Sequence, residues 1–160
     1  MRDLRRSQFD IFLAFAITFA VFSLDRATKI FFSQLLSARE SLPIIRHVFH
    51  ITLLHNTGIA FGLFKDQGSV FIIIPLMAVV LLVFNIYYYR QNNEVINRTY
   101  IVSFSLILGG ALGNLMDRIV YGHVIDFIDF RIWPVFNIAD SAITIGAAVI
   151  LFKCIPSSSK

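Results

Sequence analysis

Residues 113–142 read GNLMDRIVYGHVIDFIDFRIWPVFNIADSA and place Asn114, Asp117, Arg118, Asp126, Asp129, Arg131, Asn137 and Asp140 between two apolar segments. Four of the chain's ten acidic residues fall in this stretch. An ionisable group at the edge of lipid costs several kcal/mol by order of magnitude, so such a cluster points to function. Two carboxylates in a low-dielectric site cannot both ionise comfortably; one is pushed up and the pair shares a proton. The ionised member can then draw a proton from water while the other donates to a carbonyl or a leaving nitrogen. Asp126 and Asp140 are the candidates for that chemistry. Asp129 competes with Asp126, and spacing alone does not choose between them. Asp140 also suits the first turn of a helix, where the dipole favours an acid.

Other polar groups are candidates for orienting work. Asn114 and Asp117 are three apart and share a helical face, and Arg118 beside them can pair with a carboxylate or a lipid phosphate. Asp25 and Lys29 are four apart, hence on one face, with Arg26 between them. Asn56, in HNTGIAFG, can hydrogen-bond a substrate backbone or simply mark a turn. His47, His50, His55 and His123 lack a strong ligand spacing, and His47 and His50 are expected on opposite sides of a strand, so no metal site is expected. No GxSxG elbow and no Gly-rich phosphate loop is present. Cys154, the single cysteine, reads as a small hydrophobe in an apolar helix. No cofactor is expected.

These residues need elements to hold them, and the composition says in what solvent. The chain has 160 residues, of which 57% are hydrophobic and 15% charged, with a mean hydropathy of +0.74. A soluble domain carries about 25% charged residues. One membrane domain spanning 1–160 is expected, with helices at about 11–32, 69–89, 99–117 and 140–153. An N-terminal signal peptide cut after Ala14-Phe15-Ala16 is rejected, because the apolar run continues well past that point. Pro75 is tolerated in the second helix as a kink. Gly109, Gly110 and Gly113 give the third a face for close packing. Residues 37–68 differ in kind: β-branched and aromatic residues with glycine punctuation predict a small extracytoplasmic β-rich region between the first two helices.

Four spans put both termini on one side, together with Arg90, Arg98, Lys153 and Lys160. By the positive-inside rule that side is the cytoplasm. The β-rich segment and the acidic stretch then share the outer face. The net charge of +4 reads as topology and attraction to anionic lipid; with no basic, aromatic-interleaved stretch, nucleic acid is not an expected partner. A small four-helix transporter or channel is the alternative, but it predicts charges spread through the membrane depth, and here they gather at one face.

LDRATK, NTGIAFG, GNLMDR, HVIDF and FNIADSAI, in that order between hydrophobic segments, resemble the motifs of the lipoprotein signal peptidase (signal peptidase II) family. The resemblance spans residues from about 11 to 152. It implies an aspartic intramembrane endopeptidase whose dyad falls on Asp126 and Asp140, and so favours Asp126 over Asp129. It further implies that Asp25, Lys29, Asn56, Asn114, Asp117, Arg118 and Asn137 orient or support the dyad. The expected substrate is a diacylglyceryl-modified prolipoprotein of the bacterial inner membrane, cut on the N-terminal side of its lipidated cysteine. Membrane lipid is an expected partner, and the cyclic lipopeptide globomycin an expected inhibitor.

Overall fold

The structure is a computed structural model that describes residues 2–57, 80, 84, 87 and 97–154. The second expected helix, 69–89, and the 58–68 part of the β-rich segment lie outside the described residues, apart from the helical Val80, Phe84 and Tyr87.

Helix α1 covers Arg2–Leu35, longer at both ends than the 11–32 expected. Its sequence holds neither glycine nor proline, so nothing interrupts the backbone ladder. Near its start, Asp10 pairs with Arg98 at 3.3 Å. Helix α2 covers Arg98–Tyr121, not 99–117. The Asn97 side chain accepts from Thr99 N–H at its start, and Gly122 closes it at φ 75°, returning its N–H to Arg118. The left-handed cap suits glycine, which has no Cβ to clash. Asn114, Asp117 and Arg118 therefore sit inside the helix, not at its exit. Helix α3 covers Ile138–Cys154, two residues earlier than expected, because Asn137 caps it.

Strands β1 (Ser41–Ile45) and β2 (Phe49–Asn56) form an antiparallel hairpin within the expected β-rich segment. Pro43 is accommodated because β1 is an edge strand, with the pairing irregular just beyond it. His47 lies in the hairpin turn at φ 64°, so the expected His47/His50 alternation along one strand is corrected. The third strand, β3 (Val124–Asp129), comes from the acidic stretch and pairs antiparallel with β2, giving the order β1-β2-β3. Asp126 is thus a strand residue and not a solvated loop acid.

The sheet sits at the end of α1. Leu36, Ile51, Leu53, Ile125 and Phe127 form its core, and Phe32 of α1 lies 4.6 Å, ring to ring, from Phe127. The helices themselves touch through glycine. A Cβ on Gly109 would lie 2.8 Å from Val21 Cβ of α1, and one on Gly146 would lie 2.8 Å from Ile107 Cγ1 of α2. Close approach of backbones replaces bulky packing, as helices in lipid favour. The outward faces are apolar: Phe12, Phe15 and Phe19 on α1 and Ile119 on α2 are all exposed. Among the described helices, α1 and α2 each hold a segment long and apolar enough to cross a membrane.

Candidate active site

The site begins with a charge cluster on α1. Asp25, Arg26 and Lys29 lie within about one helical turn. Lys29 Nζ reaches Asp25 Oδ2 at 2.7 Å, Asp117 Oδ2 at 2.8 Å and Asn114 Oδ1 at 3.0 Å. The side chains of Asp25, Lys29 and Asp117 are 0% exposed. Arg26 pairs with the other Asp117 oxygen, so two cations balance two carboxylates. Such a cluster tolerates burial only when every member is partnered.

The same carboxylates hold backbone. Asp25 Oδ1 accepts the N–H of Ala139, in the first turn of α3, at 3.0 Å. Asp117 Oδ2 accepts the N–H of Ile125, in β3, at 3.1 Å. One buried lysine therefore organises the junction of α1, α2, α3 and the sheet. Gly113 makes room for it: a Cβ there would fall 2.5 Å from Asp25 Oδ2.

Above this cluster stand Asp126 and Asp140. Asp126 is 1% exposed. Its Oδ2 accepts from Asn56 Nδ2 at 2.8 Å and its Oδ1 from Asn137 Nδ2 at 2.7 Å. Asp140, half-buried, accepts at Oδ1 from Asn114 Nδ2 at 2.8 Å and at Oδ2 from the Asn137 backbone N–H at 3.3 Å. Asn137, fully buried, thus touches both acids and also lies 3.1 Å from Asn114 Oδ1. Burial, and then the charge of Asp140, push the Asp126 carboxyl up to about 7, against hydrogen bonds from Asn56 and Asn137 and the charge of Lys29. A carboxyl so placed can hold a proton at neutral pH while its partner acts as a base.

Asp129 is a different kind of group. Three residues along a strand from Asp126, it projects to the opposite face. Thr52 Oγ1 donates to it at 2.7 Å, the Arg131 backbone N–H at 2.8 Å and Arg131 Nη1 at 3.0 Å. Burial raises its carboxyl, but these donors outweigh that and hold it below the usual carboxylate range. It stays ionised and ties the sheet to the following loop.

The structure brings together all nine residues singled out in the sequence. Asn56 arrives on β2; Asn114, Asp117 and Arg118 on α2; Asp25 and Lys29 on α1; Asp126 on β3; Asn137 and Asp140 at the head of α3. Arg118 Nη1 lies 3.4 Å from the Asn114 carbonyl, within electrostatic reach of Asp140 and Asp126. The sequence did not single out Arg26 as the second cation on Asp117, nor His123, which stacks on His55 at 4.2 Å. A basic residue one position from Asp25 carried a signal for the first; nothing local signalled the second.

Apolar helices carrying a small three-stranded sheet, with buried charge at their junction, define a membrane enzyme fold. Two solved structures described as a bacterial membrane enzyme determined by the in meso method share it. One has a TM-score of 0.80 at 31% identity over 94% of each chain. The other has a TM-score of 0.78 at 32% identity, over 92% of this chain and 96% of that one. Residues 17–156 match the signal peptidase (SPase) II family. The lipoprotein signal peptidase of Halothermothrix orenii is 42% identical over 139 residues, covering 87% of this chain and 92% of that protein. That of Moorella thermoacetica is 40% identical over 133 residues, covering 83% and 86%. The chain belongs to the lipoprotein signal peptidase (signal peptidase II) family, a family of membrane-embedded proteases. The transporter or channel alternative finds no support in these relatives.

Proposed function

We propose that this protein is an aspartic endopeptidase that removes the signal peptide from diacylglyceryl-modified prolipoproteins, cutting N-terminal to the lipidated cysteine. The observation that carries the reading is the convergence of Asp126 and Asp140 on one asparagine, Asn137, beside a buried charge cluster. In this reading Asp126 holds the shared proton and Asp140 is ionised. Asp140 takes a proton from water as the water oxygen bonds to the scissile carbonyl carbon, and Asp126 protonates the carbonyl oxygen. As the tetrahedral intermediate collapses, the carbon–nitrogen bond breaks and the proton taken by Asp140 passes to the leaving nitrogen. The hydroxyl proton returns to Asp126, and the dyad is restored with no cofactor.

The reading includes a single membrane domain over residues 1–160, four spans, both termini in the cytoplasm and a site near the outer face of the bacterial inner membrane. The one-sided charge and the apolar helix faces support it. A signal helix would present its cleavage site at that depth, with its acyl chains against apolar helix faces in the surrounding lipid. Asn56, Asn114, Asn137, Arg118, Asp25, Lys29 and Asp117 act as orienting groups, and globomycin is the expected inhibitor.

The test is cleavage of a purified lipidated prolipoprotein in detergent by wild type, D126N, D140N and D129N. The first two should lose about 10³-fold or more in kcat, since removing a positioned acid or base typically costs 10²–10⁴. D129N should keep activity within about tenfold, its role being structural. Near wild-type turnover by D126N or D140N would remove that residue from the dyad.

A further inference from the structure

His55 and His123 lie outside the dyad and its supporting charges, yet their rings stack at 4.2 Å with 28° between planes. Their positions in the sheet give the stack a purpose. His55 is the penultimate residue of β2 and opposes Ile125; His123 immediately precedes β3. The next register pair, Asn56 with Val124, ends the ladder. Asn56 therefore stands on the last rung of a strand, where fraying is easiest, while its Nδ2 must stay 2.8 Å from Asp126 Oδ2.

We propose that the His55–His123 stack is a proton-sensitive clasp that holds the β2 and β3 ends together and so keeps Asn56 positioned on Asp126. The clasp closes with at most one ring protonated. Uptake of a second proton sets two cations face to face, parts the strand ends and withdraws Asn56 from the dyad. Both histidines are positioning residues; neither touches the reacting atoms.

Water reaches His55, but the described protein groups around the two rings place no free carboxylate against them. On α2, the Tyr121 ring lies 6.1 Å from His123. On α1, Arg26 lies 5.7 Å from the centre of the Tyr121 ring and reaches its hydroxyl at 3.4 Å, its charge already balanced by Asp117. On β3 the neighbouring carboxylate, Asp126, is occupied on both oxygens by Asn56 and Asn137. His55 is exposed, and its partial desolvation together with the adjacent His123 holds its imidazole below the ordinary range. Imidazole is the side chain whose ordinary titration lies nearest neutrality, and the lowering of His55 puts uptake of the second proton on the acid side of that range.

The role in catalysis rests on the proposed protease reading; the coupling between the two rings does not. The experiment therefore has two readouts on the full chain in detergent. The first is the titration of each imidazole by NMR, in wild type, H55F and H123F. Removing His123, one of the two causes that lower the His55 imidazole, should raise the His55 midpoint. The second is the pH profile of kcat and KM for prolipoprotein cleavage. H55F and H123F, which keep an aromatic face but cannot take a proton, should remain active and extend activity to lower pH. H123A should lose kcat by about tenfold or more at neutral pH with KM little changed, as misplacement of a positioning group predicts. If His55 titrates identically with and without His123, or if the acid limbs of H55F and H123F superimpose on wild type, the clasp is overturned. Should H123A fail to fold, the phenylalanine variants still decide the question. Should wild type cleave nothing, the protease reading falls while the titration still judges the coupling.

Discussion

Asn137 and Asp140 cap one another. The Asp140 backbone N–H donates to Asn137 Oδ1 at 2.9 Å, and the Asn137 backbone N–H donates to Asp140 Oδ2 at 3.3 Å. This is a reciprocal box of the kind that starts helices, with an aspartate in the third position. Capping and catalysis therefore do not compete for Asp140. The cap fixes one oxygen at the head of α3, and Asn114 fixes the other.

The elevated Asp126 makes stability depend on pH in a defined sense. Its carboxyl is raised from 3.8 to about 7 in the folded protein, so the native state binds a proton that the unfolded chain releases. Stability should fall as pH rises between about 4 and about 7 and then level off, each unit of displacement being worth about 1.4 kcal/mol. Thermal unfolding in detergent across that window should give a flatter curve for D126N than for wild type. Cleavage, which needs the shared proton, should decline as pH rises past about 7.

Lys29 holds Asp25, Asp117 and Asn114 together in a buried cluster. K29M would leave Asp25 and Asp117 buried with Arg26 alone to balance them. Removing one partner from such a cluster costs about 3–5 kcal/mol. Denaturation should show that loss, and the double variant K29M/D25N should recover part of it. No recovery would mean that Lys29 acts through packing and not through charge.

Asn137 can be split into two functions. N137A should lose about 1 kcal/mol as a missing cap and about a hundredfold in activity through loss of its contact with Asp126. Serine caps a helix but is too short to reproduce the amide contact. N137S should therefore recover the melting temperature without recovering turnover. Parallel recovery of both would assign Asn137 to the cap alone.

Gly113 tests the path from packing to site. The Cβ of G113A would fall 2.5 Å from Asp25 Oδ2, displacing the carboxylate that holds the Ala139 N–H. Overpacking costs about 1–3 kcal/mol, and the head of α3 should shift with it. Activity should fall with stability. An unchanged enzyme would show that Asp25 can give way without moving Asp140.

Much of the site was legible because polar residues stand out against apolar sequence. Asp25 with Lys29 and Asn114 with Asp117 stand out by type and spacing, whereas Asp126 is favoured over Asp129 only by the resemblance of the motifs. The strand β3 was not. VIDFID alternates Val124, Asp126 and Ile128 against Ile125, Phe127 and Asp129, so neither face reads as wholly apolar. Its identity as a strand comes from β2, which supplies the pairing partner from some seventy residues away. The helix ends differ from those expected because α1 lacks any breaker and α2 runs through Gly109, Gly110 and Gly113 and closes only at Gly122, in the left-handed cap.

The sequence by itself determined a membrane solvent, the placement of charge at one end of the apolar segments and the short menu of carboxylates able to do acid–base work. Those follow from composition and local periodicity, which each segment carries alone. Tertiary structure decided the distinction between Asp126 and Asp129. Both sit in the same hexapeptide, but Thr52 and Arg131 hold one ionised while Asn56, Asn137 and Asp140 surround the other in a dry site. A carboxyl's protonation depends on what the rest of the chain brings within about 4–6 Å, and that is a property of the fold.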